Sequence, residues 1–157
     1  MVGGAIGKEL RPPWLAMTTA FTSHFVLDVI PHLDSHGLFG VSGAGPTPLE
    51  IASAAVDTVL GIALLLWVTS RQPNRRLMLW GGFFGALLDL LDHLPPWKVW
   101  FRMLPITSQL SQFHAWVSHG VGPSEWPIGV SSQALVTAIA LFILLRHRKP
   151  APGLHSE

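Results

Sequence analysis

The chain of 157 residues contains no cysteine. That excludes disulfides, thiolate zinc sites and thiol nucleophiles, and it leaves the redox compartment unread. Charge is also scarce. Asp, Glu, Lys and Arg make up 12% of the residues, about half of the ~25% found in an ordinary soluble domain. This shortage argues against a soluble enzyme, and the lack of any long basic or acidic run argues against nucleic-acid binding. No repeat or low-complexity tract occurs. Apolar residues are plentiful: 49% are hydrophobic and the mean hydropathy is +0.42, which excludes a disordered chain. The length suits one domain, placed at residues 1–150, with residues 151–157 as a flexible tail.

Four apolar segments dominate, at about residues 12–30, 49–69, 77–94 and 128–145. The first opens on prolines tolerated at a helix start and stops at Pro31. Each runs for about 18 to 21 residues, near the ~20 that cross a ~30 Å hydrocarbon core as a helix. A set of buried soluble helices is the competing reading. The second and fourth segments weigh against it, because the chain has too little polar surface to cover them. The first and third cross a membrane on condition that their ionisable residues face protein. The fold class expected is therefore all-α, an integral membrane bundle of four transmembrane helices.

Orientation follows from the basic residues. Lys8 and Arg11 precede the first span, Arg71, Arg75 and Arg76 separate the second from the third, and Arg146, Arg148 and Lys149 follow the fourth. With four spans and both termini cytoplasmic, these eight of ten basic residues share the inner side; Lys98 and Arg102 do not. The long outer loop, Pro95 to Pro127, carries Trp97, Trp100, Trp116 and Trp126 as interfacial anchors and a short amphipathic helix around Ser108 to His119. The first eleven residues are too short for a cleaved signal peptide and read as a re-entrant or truncated segment.

The few acids and histidines are segregated. His24 and Asp28 lie four apart and share a helix face. Glu50, Ser53, Asp57 and Gly61 form a polar or small stripe in the second segment; Gly81, Gly85, Asp89 and His93 form one in the third, flanked by Asp92. Glycines at this spacing let helices approach closely and turn the carboxylate toward a neighbour. In the four-span topology all these groups fall in the outer half, under a loop bearing His114 and His119. A carboxylate at bilayer depth costs roughly 2.5–3.5 kcal/mol, so several at one depth call for joint neutralisation. A divalent cation does this with carboxylate and imidazole ligands. A structural hydrogen-bonded network competes with that reading, and His32 follows just past the Pro31 break. Asp34 and His36 read as solvated, His147 and His155 as parts of a bland basic tail, and Glu50 and Glu125 as interfacial charges.

The run Ser23-His24-Phe25-Val26-Leu27-Asp28-Val29-Ile30-Pro31-His32 resembles the signature of small prokaryotic integral-membrane proteins grouped as metal-dependent hydrolase-like. Asp57 in the next helix, the glycine-rich helix from Gly81 to Asp89 and Phe113-His114-Ala115-Trp116 follow in the matching order. The His-x-x-x-Asp pair with a later Pro-His is also similar to the ligand pattern of zinc-dependent phospholipase C and nucleases. Two departures stand out: the chain lacks a Thr-His before Gly3-Gly4, and His114 and His119 are five apart where four is usual.

The resemblance implies a protein of the prokaryotic inner membrane, and the four-span topology puts its site on the extracytoplasmic side. It implies one or two divalent ions, zinc first and manganese or iron as alternatives, held by His24, Asp28, Asp57, Asp89 and His114. His32, Asp92 or His93 would serve as general acid or base in hydrolysis of a phosphoester or lipid-linked substrate. The expected partner is a membrane lipid or amphiphile, with no nucleic acid. A non-enzymatic metal-binding or ion- or proton-translocating protein is the alternative, and a haem-binding bundle a lesser one.

Overall fold

A computed structural model describes residues 1–33, 47–94 and 97–146. Asp34, His36, His147, His155 and the expected tail lie outside these. Among the described residues the secondary structure is helical, with an isolated bridge between His32 and Gly120 and no strand. The helices are α1 (Val2–Glu9), α2 (Pro13–Asp28), α3 (Pro48–Thr69), α4 (Arg75–His93), α5 (Trp97–Met103), α6 (Pro105–Val117) and α7 (Trp126–Leu145). A 3-10 turn, Pro123–Glu125, precedes α7.

Local chemistry explains several ends. Proline occupies the first turn of α2, α3, α6 and α7, where its missing N–H goes unneeded. Thr47 and Glu50 close a capping box on α3, each side chain taking the other residue's backbone N–H. This gives the buried Glu50 a definite local role. The expected loop helix is present as α6, with α5 as a second one before it.

Among the described residues two helices, α3 and α7, are long and apolar enough to cross a membrane. The first expected span is a helix of 16 residues, about 24 Å at 1.5 Å per residue. The third reaches the same standard when α4 and α5 are taken together. Much of α3 and α7 has no protein cover: Val59, Leu60, Leu135 and Phe142 are all exposed.

The core was not foreseen around α1, yet α1 is the most enclosed element. Gly3, Gly4, Ala5, Gly7 and Lys8 are all buried. Gly3 faces Gly81 and Gly7 faces Leu77, so α1 runs antiparallel to α4 at backbone contact. A Cβ on Gly3 or on Gly81 would overlap the other residue's carbonyl oxygen, which is the close approach that glycine permits. Ala5, Val68, Met78, Ala140 and Leu144 form the apolar cluster beside it. No such packing occurs at Gly61 of α3, whose surroundings are open.

The bundle has two polar ends. At the first, Lys8 donates to the carbonyls of Ile143 and Leu144, both at 2.8 Å, and of Arg146. Arg146 in turn pairs with Glu9 at 2.9 Å, and Arg11 reaches Asn74. Lys8, expected as an inner-rim charge, is thus a buried cap on the last carbonyls of α7. The other end carries the acids and histidines.

Candidate metal centre

Three helices bring the polar residues together. The last turns of α2 supply His24 and Asp28, the last turns of α4 supply Asp89, Asp92 and His93, and α6 supplies His114. Backbone bonds fix the junction: His119 N–H donates to Asp28 O at 2.8 Å, His32 N–H to His119 O at 3.1 Å and Val121 N–H to His32 O at 2.9 Å. Phe25 of α2 packs on Phe113 of α6, with ring centroids 5.3 Å apart. His24 and His114 are buried.

The partners of each ring settle its tautomer. His24 Nδ1 lies 2.9 Å from the carbonyl oxygen of Gly85. A carbonyl accepts and cannot donate, so Nδ1 carries the proton and Nε2 of the neutral ring presents a lone pair. His114 Nδ1 lies 3.3 Å from Oδ2 of Asp92; with its proton there the neutral ring leaves Nε2 a lone pair, and a second proton, on Nε2, would be donated to Asp28 Oδ2. The two Nε2 atoms face each other at 3.3 Å. Oδ2 of Asp28 completes the triangle, 3.3 Å from one and 3.2 Å from the other. That oxygen is buried and has no partner in hydrogen-bonding geometry.

With both rings neutral, three acceptor atoms therefore converge, each with its lone pair toward the others. A structural network pairs donors with acceptors; this trio needs a cation or an added proton at its centre. A tetrahedral ion bonded at ~2.0–2.1 Å sets its ligands ~3.3–3.4 Å apart. The triangle of 3.2 and 3.3 Å edges fits that size. The donor set, two imidazoles and one carboxylate, suits zinc and also manganese or iron. Among the described residues, His24, Asp28 and His114 form the group whose ligand atoms are mutually close enough for one ion.

Asp89 approaches from the half-exposed side of the site. Its Oδ1 is 3.4 Å from His24 Nε2, 3.7 Å from His114 Nε2 and 3.7 Å from His93 Nδ1. Asp92 is buried and accepts from Arg102 Nε at 2.6 Å and Ser111 Oγ at 2.8 Å. The Asp28 carboxylate raises the pKa of His114 above the ordinary histidine value; burial opposes this, and Asp92 adds to it.

Two expected site residues stand apart. Asp57 is exposed on α3, and it acts electrostatically on the amino group of Met1. The reason is that α3 packs through its later residues, Leu64, Leu65 and Val68, leaving Asp57 on an open face. His32 turns its ring to the carbonyl of Ile30 at 3.0 Å, and its backbone makes the bridge to residues 119–121. The exposed His119 likewise contributes through its backbone. Arg102, Ser111 and the Gly85 carbonyl were not anticipated. Arg102 carried a signal, being one of two basic residues on the acid-rich side.

No family model, curated protein or solved structure matches the chain.

Proposed function

We propose that this chain is a membrane-embedded, metal-dependent hydrolase acting on a phosphoester or lipid-linked substrate. The observation that carries the reading is the convergence of His24 Nε2, His114 Nε2 and Asp28 Oδ2 with their lone pairs inward. The resemblance of the Ser23–His32 run to the membrane-bound metal-dependent hydrolase-like group supports it. So do α3 and α7 as spans. The fuller topology proposed has α2 and α4 as further spans, both termini cytoplasmic and the site on the extracytoplasmic side.

His24, His114 and Asp28 would hold one ion, with Asp89 beside them as a further carboxylate. A divalent ion there supplies a lowered water pKa and a Lewis acid for a phosphoryl oxygen. His93, half exposed and next to Asp89, is placed to take a proton from water or give one to a leaving group. Trp97, Trp100 and Trp116 are exposed on α5 and α6, where indoles favour the headgroup level. A substrate whose tail stays in lipid would reach the site from that layer.

Metal analysis of the purified protein is the test. About one zinc, manganese or iron per chain is expected, lost in His24→Ala and in Asp28→Ala. Well-folded wild type without stoichiometric metal after reconstitution would overturn the reading. Where metal is bound, a screen against phospholipid headgroup esters decides between chemistry and a purely metal-stabilised protein.

A further inference from the structure

We infer that Asp92 is a positioning residue, clamped by Arg102 and Ser111 so that it holds the His114 ring with Nε2 toward His24 and Asp28. Its functional meaning rests on the metal reading above; its geometry does not.

Both carboxylate oxygens of Asp92 are engaged. Oδ1 takes the Arg102 Nε–H at 2.6 Å and the Ser111 hydroxyl at 2.8 Å, and Oδ2 faces His114 Nδ1 at 3.3 Å. Arg102 Nη2 also donates to the Asp92 backbone carbonyl at 3.2 Å. The residue is 2% exposed. A carboxylate so occupied and so buried is poorly placed to shuttle protons with water, in contrast to the half-exposed His93. It is well placed to fix an imidazole. Metal-ligating histidines characteristically donate their other ring N–H to a carboxylate or carbonyl, which sets the tautomer and raises ligand basicity.

The two rings of the site are oriented by different means. His24 is held by a main-chain carbonyl of α4, a partner that follows from helix packing. His114 depends on a side chain, and that side chain depends on Arg102 from α5 and Ser111 from α6. The chain of contacts from Arg102 through Asp92 to His114 thus ties the exposed α5–α6 region to the ligand set. Arg102 acts two contacts away from the trio.

The clamp makes a specific prediction for Asp92→Asn. Arg102 and Ser111 donate to the Oδ1 position, so the amide oxygen must sit there and the NH2 must face His114 Nδ1. A donor then meets a donor. His114 is forced into its other tautomer, with the Nε2 proton aimed at the trio. Nitrogen-15 NMR of histidine-labelled protein in detergent, at a pH where the ring is neutral, reads this directly without metal. The wild type is expected to show His114 protonated on Nδ1, and Asp92→Asn to show it on Nε2. Zinc affinity, measured by chelator competition, should fall by about 10- to 100-fold. Arg102→Gln should give a smaller loss of about 3- to 10-fold, of the order of one lost second-shell contact, and Arg102→Lys should recover part of it. If Asp92→Asn does not fold, the Arg102 pair carries the test.

An unchanged tautomer together with zinc affinity within twofold of wild type, in Asp92→Asn or in Arg102→Gln, would overturn the inference. So would Asp92→Asn protein that keeps tautomer and affinity but loses turnover, since that assigns proton transfer to Asp92. Wild type that binds no zinc removes the metal reading, and the tautomer measurement still decides the positioning role.

Discussion

The two ends of this bundle bury polar groups in opposite ways. At one end a single cation, Lys8, meets the carbonyls of Ile143, Leu144 and Arg146. At the other, two imidazole nitrogens and a carboxylate oxygen meet one another. Both sets are buried and both join residues distant in sequence. At the Lys8 end a donor faces acceptors, so the contact stands as a structural cap. The His24 end has acceptors in excess, so its geometry makes sense around something positively charged. Burial of a polar group does not distinguish structure from function; the donor–acceptor balance does.

Removing ligands from the acceptor-rich end gives the largest expected effect. His24→Ala or Asp28→Ala should weaken zinc binding by a factor on the order of 1,000 or more, about 4 kcal/mol. At a pH where both rings are neutral, the unfolding midpoint of the metal-free protein in detergent should hardly move, because three lone pairs then face one another. Loss of the metal-free fold in both variants would instead make this end a structural network. Gly81→Ala tests the frame that positions the trio. The added Cβ meets the Gly3 carbonyl, so α1 must separate from α4 at a cost of about 1–3 kcal/mol, read by denaturant unfolding. Zinc affinity should fall with it, since Gly85 and Asp89 ride on α4.

Much of the site was legible because its residues obey local periodicity. The His24–Asp28 pair is a helix i, i+4 relation, and the stripe from Gly81 to Asp89 announces a face that must meet another helix. Periodicity places residues on a face and says nothing about whether that face is covered. Asp57 fails for that reason: its stripe reads like that of Asp89, but α3 packs at its other end. The engagement of Asp92 was equally hidden, because Arg102 and Ser111 reach it through the α5–α6 fold, and no spacing rule spans that turn. Counting charge grouped Lys8 with Arg11 and Arg146, whose end it shares, but could not show what its ammonium does there. The positive-inside rule treats a lysine as an interfacial cation, and here the ammonium is withdrawn onto helix carbonyls. The membrane character was plain in α3 and α7, whereas α2 and α4 approach their neighbours through alanine and polar residues in one and glycine and polar residues in the other, at the expense of apolarity.

Lys8→Met sharpens the comparison from the balanced end. It removes the donor and leaves carbonyls of the last turn of α7 without it, costing about 2 kcal/mol by the usual penalty for unsatisfied groups. Unfolding in detergent should report that loss, and zinc affinity should stay within about twofold because the two ends share no contact. A matching loss of zinc affinity would show that the ends are coupled through α1 and are not separate devices.

The smallest effect separates a metal from a proton at the centre of the trio. The Asp28 carboxylate raises the His114 pKa, so in the metal-free protein this group contributes stability that is fully present below the unfolded histidine value of about 6.5. That contribution is lost as pH rises through the raised folded value. Zinc requires the neutral ring, so its stabilisation runs the other way and grows over the same range. Below the folded pKa of His114, zinc affinity should fall by about tenfold per pH unit, or ~1.4 kcal/mol, for one displaced proton. Melting curves of chelated and zinc-loaded protein should therefore converge on acidification and diverge toward alkaline pH. Curves that stay parallel and apart would mean that no ring proton competes with the ion; curves that coincide at every pH would mean that no ion binds and that the trio is filled by protonation alone.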